Sequence, residues 1–398
     1  MDLTEHHDLR SGRSVWTDHP VSPPCDPLPA GPVDVAIVGA GITGAAVAAR
    51  LAQRGRSVAL VDRRPPAAGS TAASTALVMW EIDVPLTHLA RKHGLDEAGR
   101  RWRRVYETVA RIDARVPVAA RPTLYLAGAL LDGDALGEEA VARRRFGLPS
   151  EWLPAGAVAE RFGIAPRTAL VSDGACAVDP VAAALALLGD ARAAGATMSW
   201  PVDALRLETH GDHVAVVTDR GELRARDVVL AGGYERPGAF LPPAFALLSS
   251  YAIATAPDAA PCWREDALIW EAADPYLYAR TDGEGRVIAG GEDEDFFSPE
   301  AARDARISAK SGAIAAKLGS ILGAAPLAVE RAWAATFGTS PDGLPTIGRA
   351  RNHERLWLAA GFGGNGVTFA ALAAELLAGA LDGAPDAMAH AFDPYRFG

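Results

Sequence analysis

A glycine-rich turn has residue types and a spacing that suit the binding of a phosphate group. It reads Gly39-Ala40-Gly41-Ile42-Thr43-Gly44 and follows the apolar run 35–38. Gly39 permits a tight turn, Gly41 lets a pyrophosphate approach the backbone, and Gly44 lets the next helix pack closely on the strand. The N-terminus of that helix offers free N–H groups and the positive end of a dipole to the phosphates.

An acidic residue at the end of the next apolar run completes a known pattern. The run 58–61 ends on Asp62, 18 residues beyond Gly44. A carboxylate at this position can accept hydrogen bonds from the ribose hydroxyls of an adenosine, so the unit predicts a dinucleotide site. Arg63 and Arg64 follow directly, and they leave open a 2′-phosphate on that ribose.

A loop of small residues, rich in hydroxyl groups, comes next. It reads Gly69-Ser70-Thr71-Ala72-Ala73-Ser74-Thr75. Such a loop can approach a bound cofactor closely, although a solvated turn has the same composition.

The bulk composition limits the class of protein. A chain of 398 residues is too long to fold around one compact core, so two domains are predicted. A net charge of −10 gives no basic footprint for nucleic acid. The three cysteines, Cys25, Cys176 and Cys262, form no CxxC pair and suggest no metal site. With no leader-like or membrane-length apolar run, these features predict a cytoplasmic protein.

The elements that must position the turn follow from the patterns along the chain. Residues 1–30 are rich in proline (Pro20, Pro23, Pro24, Pro27 and Pro29), which predicts an extended arm without a regular element, either pinned by Trp16 or loosely ordered. Helices are predicted within 88–116 and over 136–146, 180–194 and 299–322, with a last one from Val367. Polar and apolar residues alternate over 202–230, which predicts a β-meander. Residues 245–295 are also predicted to be mostly β-strand.

Three separated stretches together resemble the FAD-dependent amine and amino-acid oxidoreductases, the family of D-amino-acid oxidase, glycine oxidase and sarcosine oxidase. They are the opening turn with its hydroxyl loop, the strand 228–231 running into Gly232-Gly233, and the closing turn Gly361-Phe362-Gly363-Gly364-Asn365-Gly366. The stretch from Thr336 to Gly348 resembles that family's T-x-D-x-x-P-x-I-G pattern. The resemblance spans about residues 33–380.

The resemblance implies an α/β fold with an α+β second domain, in which a Rossmann-type FAD-binding domain is interleaved with a substrate domain built on a large antiparallel sheet. The predicted FAD-binding domain comprises 31–80, 170–235 and 332–398. The predicted substrate domain comprises 81–169 and 236–331.

The resemblance also implies which residues hold FAD, without a covalent bond because residues 330–345 contain no cysteine. The opening turn and Asp62 would hold the ADP half, and the closing turn would lie beside the pyrimidine end of the flavin. The implied cofactor residues are Gly39, Gly41, Ile42, Thr43, Gly44, Asp62, Arg63, Ser70, Thr71, Ser74, Val202, Gly232, Gly338, Gly363, Gly364, Asn365, Gly366 and Thr368.

In this family an arginine in the sheet over the flavin grips the substrate carboxylate, and Arg280 matches that position. Tyr278 and Tyr251 are expected in the same cavity. Two alternatives remain: Arg280 makes a surface ion pair, or the acids Glu271, Glu292, Asp293, Glu294 and Asp295 form an acidic mouth that favours an amine without a carboxylate.

The implied reaction is hydride transfer from the carbon that bears the amine to flavin N5, giving an imine that hydrolyses. Dioxygen or another acceptor would reoxidise the flavin. The alternatives are oxidation of a hydroxy acid or polyol, and a flavoprotein subunit without chemistry of its own.

Overall fold

The computed structural model describes residues 1–4, 6–17, 24–112, 119–234, 242–260, 263–296 and 300–397, so that Pro20, Pro23 and Cys262 lie outside the described residues. The strands are β1 (Arg10–Gly12), β2 (Val33–Val38), β3 (Val58–Val61), β4 (Leu77–Val78), β5 (Ala119–Leu126), β6 (Ser150–Leu153), β7 (Ala169–Ala177), β8 (Thr197–Ser199), β9 (Ala204–Thr209), β10 (Val214–Thr218), β11 (Gly221–Leu230), β12 (Ala246–Thr255), β13 (Leu268–Glu271), β14 (Leu277–Thr281), β15 (Val287–Asp295), β16 (Val329–Thr339), β17 (Thr346–Arg349) and β18 (Leu356–Ala360).

The helices agree closely with the predicted ranges. They are α1 (Ile42–Ala52), α2 (Leu86–His93), α3 (Leu95–Ala110), α4 (Gly133–Arg145), α5 (Ala155–Phe162), α6 (Pro180–Ala193), α7 (Ala301–Asp304), α8 (Ile307–Leu322) and α9 (Gly366–Leu381), with 3-10 turns at Ser70–Ala73 and Ala389–Phe392. The predicted helical stretch 88–116 is broken at Gly94, whose φ of 80° ends α2. Within the described ranges, no helix combines the length and apolar character needed to cross a bilayer.

The first sheet is parallel at its centre, in the order β18-β11-β2-β3-β8, with β17 antiparallel at one edge and β9–β10 attached to β11. Alternate residues of β2 pack on opposite faces. Val35 and Ile37 join the core formed with α1, α6 and α9, whereas Ala36 and Val38 pack with β9–β11. This arrangement explains why β2 and β3 read as continuous apolar runs.

The second sheet is mainly antiparallel, in the order β1-β16-β12-β15-β14-β13-β5-β7-β4, with β6 on β7. One face packs on α5 and α8 through residues such as Tyr251, Ile253 and Ala279. The two sheets confirm the predicted fold class, a Rossmann-type unit with a large antiparallel sheet.

Sheet membership differs in detail from the predicted domain ranges. β4, β7 and β16 all belong to the second sheet, although most of each falls within the ranges predicted for the cofactor domain. The chain therefore crosses between the sheets several times. The division into two domains with boundaries near 80, 170, 235 and 332 stays a prediction.

The N-terminal arm carries a regular element, contrary to the prediction. Arg10–Gly12 forms β1, which pairs antiparallel with β16. The prediction failed because the prolines all come after this segment. The arm then runs beside the hydroxyl loop: Arg10 Nε donates to the Ala68 carbonyl (2.8 Å), Ser14 Oγ to that of Ala72 (2.6 Å) and Trp16 Nε1 to that of Ser74 (2.7 Å). Trp16 therefore pins the arm to the body.

A substitution at Gly44 tests the close contact between α1 and β2. A Cβ at Gly44 would lie 1.8 Å from the Gly39 carbonyl oxygen, so Gly44→Ala is expected to lower the free energy of unfolding by about 3 kcal/mol. Gly189→Ala in α6 is the matched control, because its Cβ would meet nothing within 4 Å. It is expected to raise stability by up to about 1 kcal/mol. Thermal and denaturant unfolding measure both, and equal effects would contradict the packing role of Gly44.

Candidate functional site

A long cavity lies between the two sheets at the carboxyl ends of β2, β3 and β11, where open α/β sheets bind their ligands. Its opposite wall is the face of the second sheet that does not contact α8, and includes Ser250, Trp270, Tyr278 and Trp333. With its open mouth the cavity encloses about 1820 Å³. Its lining extends from Asp62 to the closing turn, so one cavity joins the two regions for which the sequence predicts contacts with a single cofactor.

Asp62 lies at one end of the cavity and is held by the glycine-rich turn. One carboxylate oxygen accepts from the Ala40 N–H (2.7 Å) and the other from the Arg64 N–H (2.8 Å). Each oxygen keeps a second lone pair that can accept from a ribose hydroxyl. Burial raises the pKa of Asp62, and the two backbone N–H groups oppose that shift. The carboxylate is therefore fixed in place for a donor ligand.

The hydroxyl loop packs on the N-terminus of α1. Thr71 Oγ1 accepts from the Ile42 N–H at 3.0 Å. Helix geometry leaves the next N–H groups, on Thr43 and Gly44, without an intrahelical acceptor. The Ser70 hydroxyl borders the cavity and is buried without a hydrogen-bond partner in the described structure. These unmet donors are suited to phosphate oxygens.

The closing turn reaches the far end of the cavity through bonds to two distant segments. The Gly363 N–H donates to the Gly338 carbonyl (2.9 Å), and the Gly364 N–H donates to the Asp83 carboxylate (3.1 Å). Asn365 Nδ2 donates to Asp83 (3.2 Å) and to the Glu81 carbonyl (3.1 Å). Asn365 Oδ1 is buried without a partner among the described residues, so it can accept from a ligand.

Most of the predicted cofactor residues border this one cavity. They are Gly39, Gly41, Ile42, Thr43, Asp62, Arg63, Ser70, Thr71, Ser74, Val202, Gly232, Gly363, Gly364, Asn365 and Gly366. Gly44, Gly338 and Thr368 are not among its lining residues. Gly44 packs on the Gly39 carbonyl, Gly338 accepts from Gly363, and Thr368 Oγ1 donates to the Met79 carbonyl at 2.7 Å. These three position the lining.

Arg280 does not border the cavity, contrary to the prediction. Its Nε donates to the Thr75 carbonyl (2.6 Å) and its Nη2 to the Val178 carbonyl (2.9 Å). Its guanidinium carbon lies 5.3 Å from the centre of the Trp16 ring. Arg280 shares a sheet face with Tyr278 but lies further along β14, where the hydroxyl loop and the arm cover it. It joins chain segments and is not placed to grip a carboxylate.

The two predicted tyrosines differ in orientation. Tyr278 lines the cavity and its hydroxyl lies 3.4 Å from Ser250 Oγ. Tyr251 also borders the cavity, but its ring packs in the core against α8 and its hydroxyl lies 3.4 Å from the Arg303 carbonyl. Tyr278 is therefore the one with a side chain on the cavity face.

The acids predicted as an alternative mouth are mostly paired elsewhere. Glu271 pairs with Arg167 (2.5 Å), Glu292 lies 3.6 Å from Lys310, and Glu294 pairs with Lys310 (2.6 Å). Asp293 instead accepts from the Ser250 hydroxyl, and its Oδ1 is buried without a partner in the described structure. Burial raises the pKa of Asp293 to about 6, Ser250 opposes that shift, and Asp83 adds to it.

Sequence reasoning missed Asp83 and gave no role in the cavity to Trp270, Ser250 or Tyr276, although all four line it. Burial raises the pKa of Asp83 to about 6, and the hydrogen bond from the Gly364 N–H opposes that shift. Burial also raises the pKa of Tyr276, with Asp293 the next cause. Glu81 and Asp83 are two acids within the apolar stretch 77–86, and this pattern was the available sign of buried, functional carboxylates.

Comparison with known proteins identifies the family. A family model described as DAO, FAD dependent oxidoreductase, matches residues 34–380. The chain belongs to the DAO family of FAD-dependent oxidoreductases. The match includes the glycine-rich turn, both sheets and the closing turn, so FAD is the cofactor for which this DAO-family cavity is built.

Solved structures share the fold of this DAO-family chain. Glycine oxidase from Geobacillus kaustophilus superimposes with a TM-score of 0.69 at 21% identity, covering 92% of this chain and 97% of that one. L-amino acid deaminase from Proteus myxofaciens, in complex with anthranilate, gives a TM-score of 0.73 at 16% identity, covering 98% of both chains. At these identities the likeness concerns the fold alone.

Curated relatives match over much of the chain. The tRNA 5-methylaminomethyl-2-thiouridine biosynthesis bifunctional protein MnmC of Ralstonia nicotianae is 28% identical over 409 residues, covering 91% of this chain and 60% of the relative. The protein of the same name from Maricaulis maris is 28% identical over 375 residues, covering 91% and 55%. This DAO-family chain therefore spans little more than half the length of these relatives.

The residues of the cavity fit FAD at both ends. Asp62 and the N–H groups of α1 suit the adenosine and the pyrophosphate. The unpartnered Ser70 hydroxyl and Asn365 Oδ1 are polar atoms that need a ligand to complete their bonding. At the other end α9 directs its N-terminus, with Asn365 as N-cap, at the cavity, where its dipole stabilises negative charge on a flavin ring.

We expect the FAD to be held without a covalent bond, because no cysteine or histidine is among the described residues that line the cavity. Precipitation of the purified protein with acid should leave all the yellow colour in the supernatant. The precipitate, digested with protease, should yield no flavin-bearing peptide by mass spectrometry. A yellow precipitate would contradict this expectation.

Arg280→Met should act on stability. It removes two charged hydrogen bonds and leaves the Thr75 and Val178 carbonyls unpaired, which is expected to cost roughly 3 kcal/mol of unfolding free energy. Arg224→Met is the control, because Arg224 is exposed and pairs with Glu222 at the surface. A rise in KM confined to carboxylated substrates, at unchanged stability, would restore the carboxylate-binding role.

Proposed function

We propose that this chain catalyses the FAD-dependent oxidation of a C–N bond in a small amine or amino acid. The observation that carries the proposal is the single cavity that joins the dinucleotide end at Asp62 to a chamber behind the closing turn, lined by Trp270, Tyr276 and Tyr278. FAD supplies the acceptor for the two electrons. The names of the structural relatives, among them a glycine oxidase and L-amino acid deaminases, agree with this reaction.

The chain's own residues would bind the amine, orient it and exclude water. The aromatic rings replace water at the reacting carbon, which strengthens each polar contact there. Asp83 lines the chamber and is ionised near neutral pH, since its pKa is about 6. Its carboxylate can accept a hydrogen bond from a substrate N–H. Loss of a hydride equivalent requires the neutral amine, so the site must release the proton that a free amine carries near neutral pH.

A second candidate substrate is an amine carried on tRNA. It is favoured by the MnmC relatives, whose names concern tRNA modification. The net charge of −10 opposes it, because binding of a polyanion depends on basic contacts to phosphates. The absence of a nucleic-acid partner stays a prediction, and bulk tRNA belongs in the substrate panel.

The electron acceptor is dioxygen or another acceptor. No lysine is among the described residues that line the cavity, whereas the sarcosine-oxidase branch places one over its flavin. We therefore favour a dehydrogenase that passes electrons to a partner acceptor. Comparison of oxygen consumption with reduction of an artificial dye at equal substrate concentration distinguishes the two.

Anaerobic bleaching of the bound flavin tests the proposed function. The panel contains amino acids, N-methyl amino acids, amines, hydroxy acids and bulk tRNA. Amines or amino acids should bleach the absorbance near 450 nm, with release of ammonia or a shorter amine and a carbonyl product. Bleaching by hydroxy acids alone would refute C–N oxidation, and no bleaching by any compound would point to a subunit without chemistry of its own.

A further inference from the structure

The substrate end of the cavity has charges of one sign. The charged residues that line the cavity in the described structure are Asp62, Arg63, Arg64, Asp83 and Asp203. Arg63 and Arg64 follow Asp62 at the adenosine end, and Arg280 is engaged by two backbone carbonyls outside the lining. The chamber behind the closing turn therefore presents Asp83 without a lining cation.

A second carboxylate stands behind this chamber. Asp293 accepts from the Ser250 hydroxyl, and its charge raises the pKa of Tyr276, as does that of Asp83. Its Oδ1 is buried and has no partner in the described structure. The Tyr276 hydroxyl also hydrogen-bonds to Asp293, so this carboxylate is tied to a ring that lines the chamber. Asp83 and Asp293 thus frame Tyr276 from two segments of the chain.

The rings around these carboxylates suit a cation independently of the charges. The centres of the Tyr276 and Tyr278 rings lie 5.5 Å apart at an angle of 37°. Trp270 lines the same chamber and is stacked on Tyr125, with ring centres 3.7 Å apart, so the indole is held in place. Aromatic groups attract ammonium cations through the negative faces of their rings. Carboxylates combined with such rings are typical of ammonium recognition, and the negative charge of Asp83 opposes a substrate carboxylate.

We propose that the substrate carries a second, protonated amino group and no carboxylate beside the reacting carbon, and that Asp83 holds that group among Tyr276, Tyr278 and Trp270, with the charge of Asp293 behind them. This inference rests on the proposed oxidation of a C–N bond and names its substrate class, a diamine or related polycation. The distal ammonium group binds Asp83 and stays charged. The reacting amine lies towards the flavin and releases its ammonium proton to solvent. Its C–H bond then breaks with loss of a hydride equivalent, whose two electrons FAD would accept, and the iminium that remains is hydrolysed by water to an aldehyde and ammonium.

Three compounds with four carbons each test the charge of the distal group on the purified holoenzyme. Butane-1,4-diamine, butylamine and 4-aminobutanoate end in an ammonium, a methyl and a carboxylate group, and the three- and five-carbon homologues are run beside them. The diamine should exceed the monoamine in kcat/KM by at least about 10-fold, which corresponds to one charge-assisted hydrogen bond. The amino acid should be the poorest of the three.

Two conservative variants and a neighbouring control assign the effect to residues. Asp83→Asn should reduce the ratio of kcat/KM for diamine over monoamine to within a few-fold of one, and Asp293→Asn should reduce it by less, because Asp293 acts only through its charge behind the lining. Glu292→Gln should leave that ratio unchanged, because Glu292 pairs with Lys310 and Lys317 instead. The ratio is insensitive to a general loss of active enzyme, and flavin content per chain reports folding.

The outcomes separate this inference from the proposed function. Faster flavin reduction by glycine, N-methylglycine or 4-aminobutanoate than by the diamines overturns the inference and leaves C–N oxidation standing. An unchanged ratio in the Asp83→Asn variant also overturns it. No reduction by any amine or amino acid overturns the proposed function and this inference with it.

Discussion

The cavity exists because the closing turn is fastened to two segments that are far from it in sequence. Gly363 is bound by the Gly338 carbonyl, while Gly364 and Asn365 are bound by Asp83. These bonds join the end of the first sheet, the end of β16 and the stretch after β4. Because Asn365 is buried, loss of its acceptors would leave a buried amide unsatisfied. The two walls of the cavity are held together at this point.

A buried ion cluster supports the same region from behind. Arg143 Nε donates to Glu139 at 2.9 Å, and Arg143 Nη1 lies 3.7 Å from Glu81, with all three side chains inaccessible to solvent. The Arg143 guanidinium also lies 4.6 Å from the centre of the Trp102 ring. Thr123 donates to Glu81, whose carbonyl holds Asn365. Removing one member of such a cluster strands a buried charge, so the position of Asp83 depends on residues in α4.

Local patterns predicted the elements and the dinucleotide end, because those features depend on neighbouring residues. The predicted helix 180–194 is α6, where Asp179 is the N-cap and its side chain accepts from the Val181 and Ala182 N–H groups at 2.9 Å. The substrate end was harder to predict, because it depends on which face of a strand each side chain occupies and on what covers that face. Arg280 is on the predicted strand, yet it donates to the Thr75 and Val178 carbonyls. Asp83 is held in place by a turn about 280 residues later in the chain, and no local sequence pattern includes both segments.

The N-terminal arm runs beside the hydroxyl loop. Binding of the cofactor and ordering of the arm are therefore thermodynamically coupled. Arg10, Ser14 and Trp16 each bind a loop carbonyl 58 residues further along, so the two segments run in the same direction, joined by side chains. The loop carries Ser70, Thr71 and Ser74, which border the cofactor cavity. A ligand that stabilises the loop also stabilises the arm bound to it. Because Leu9 of the arm borders the cavity as well, the resistance of residues 6–17 to cleavage is expected to rise with cofactor occupancy.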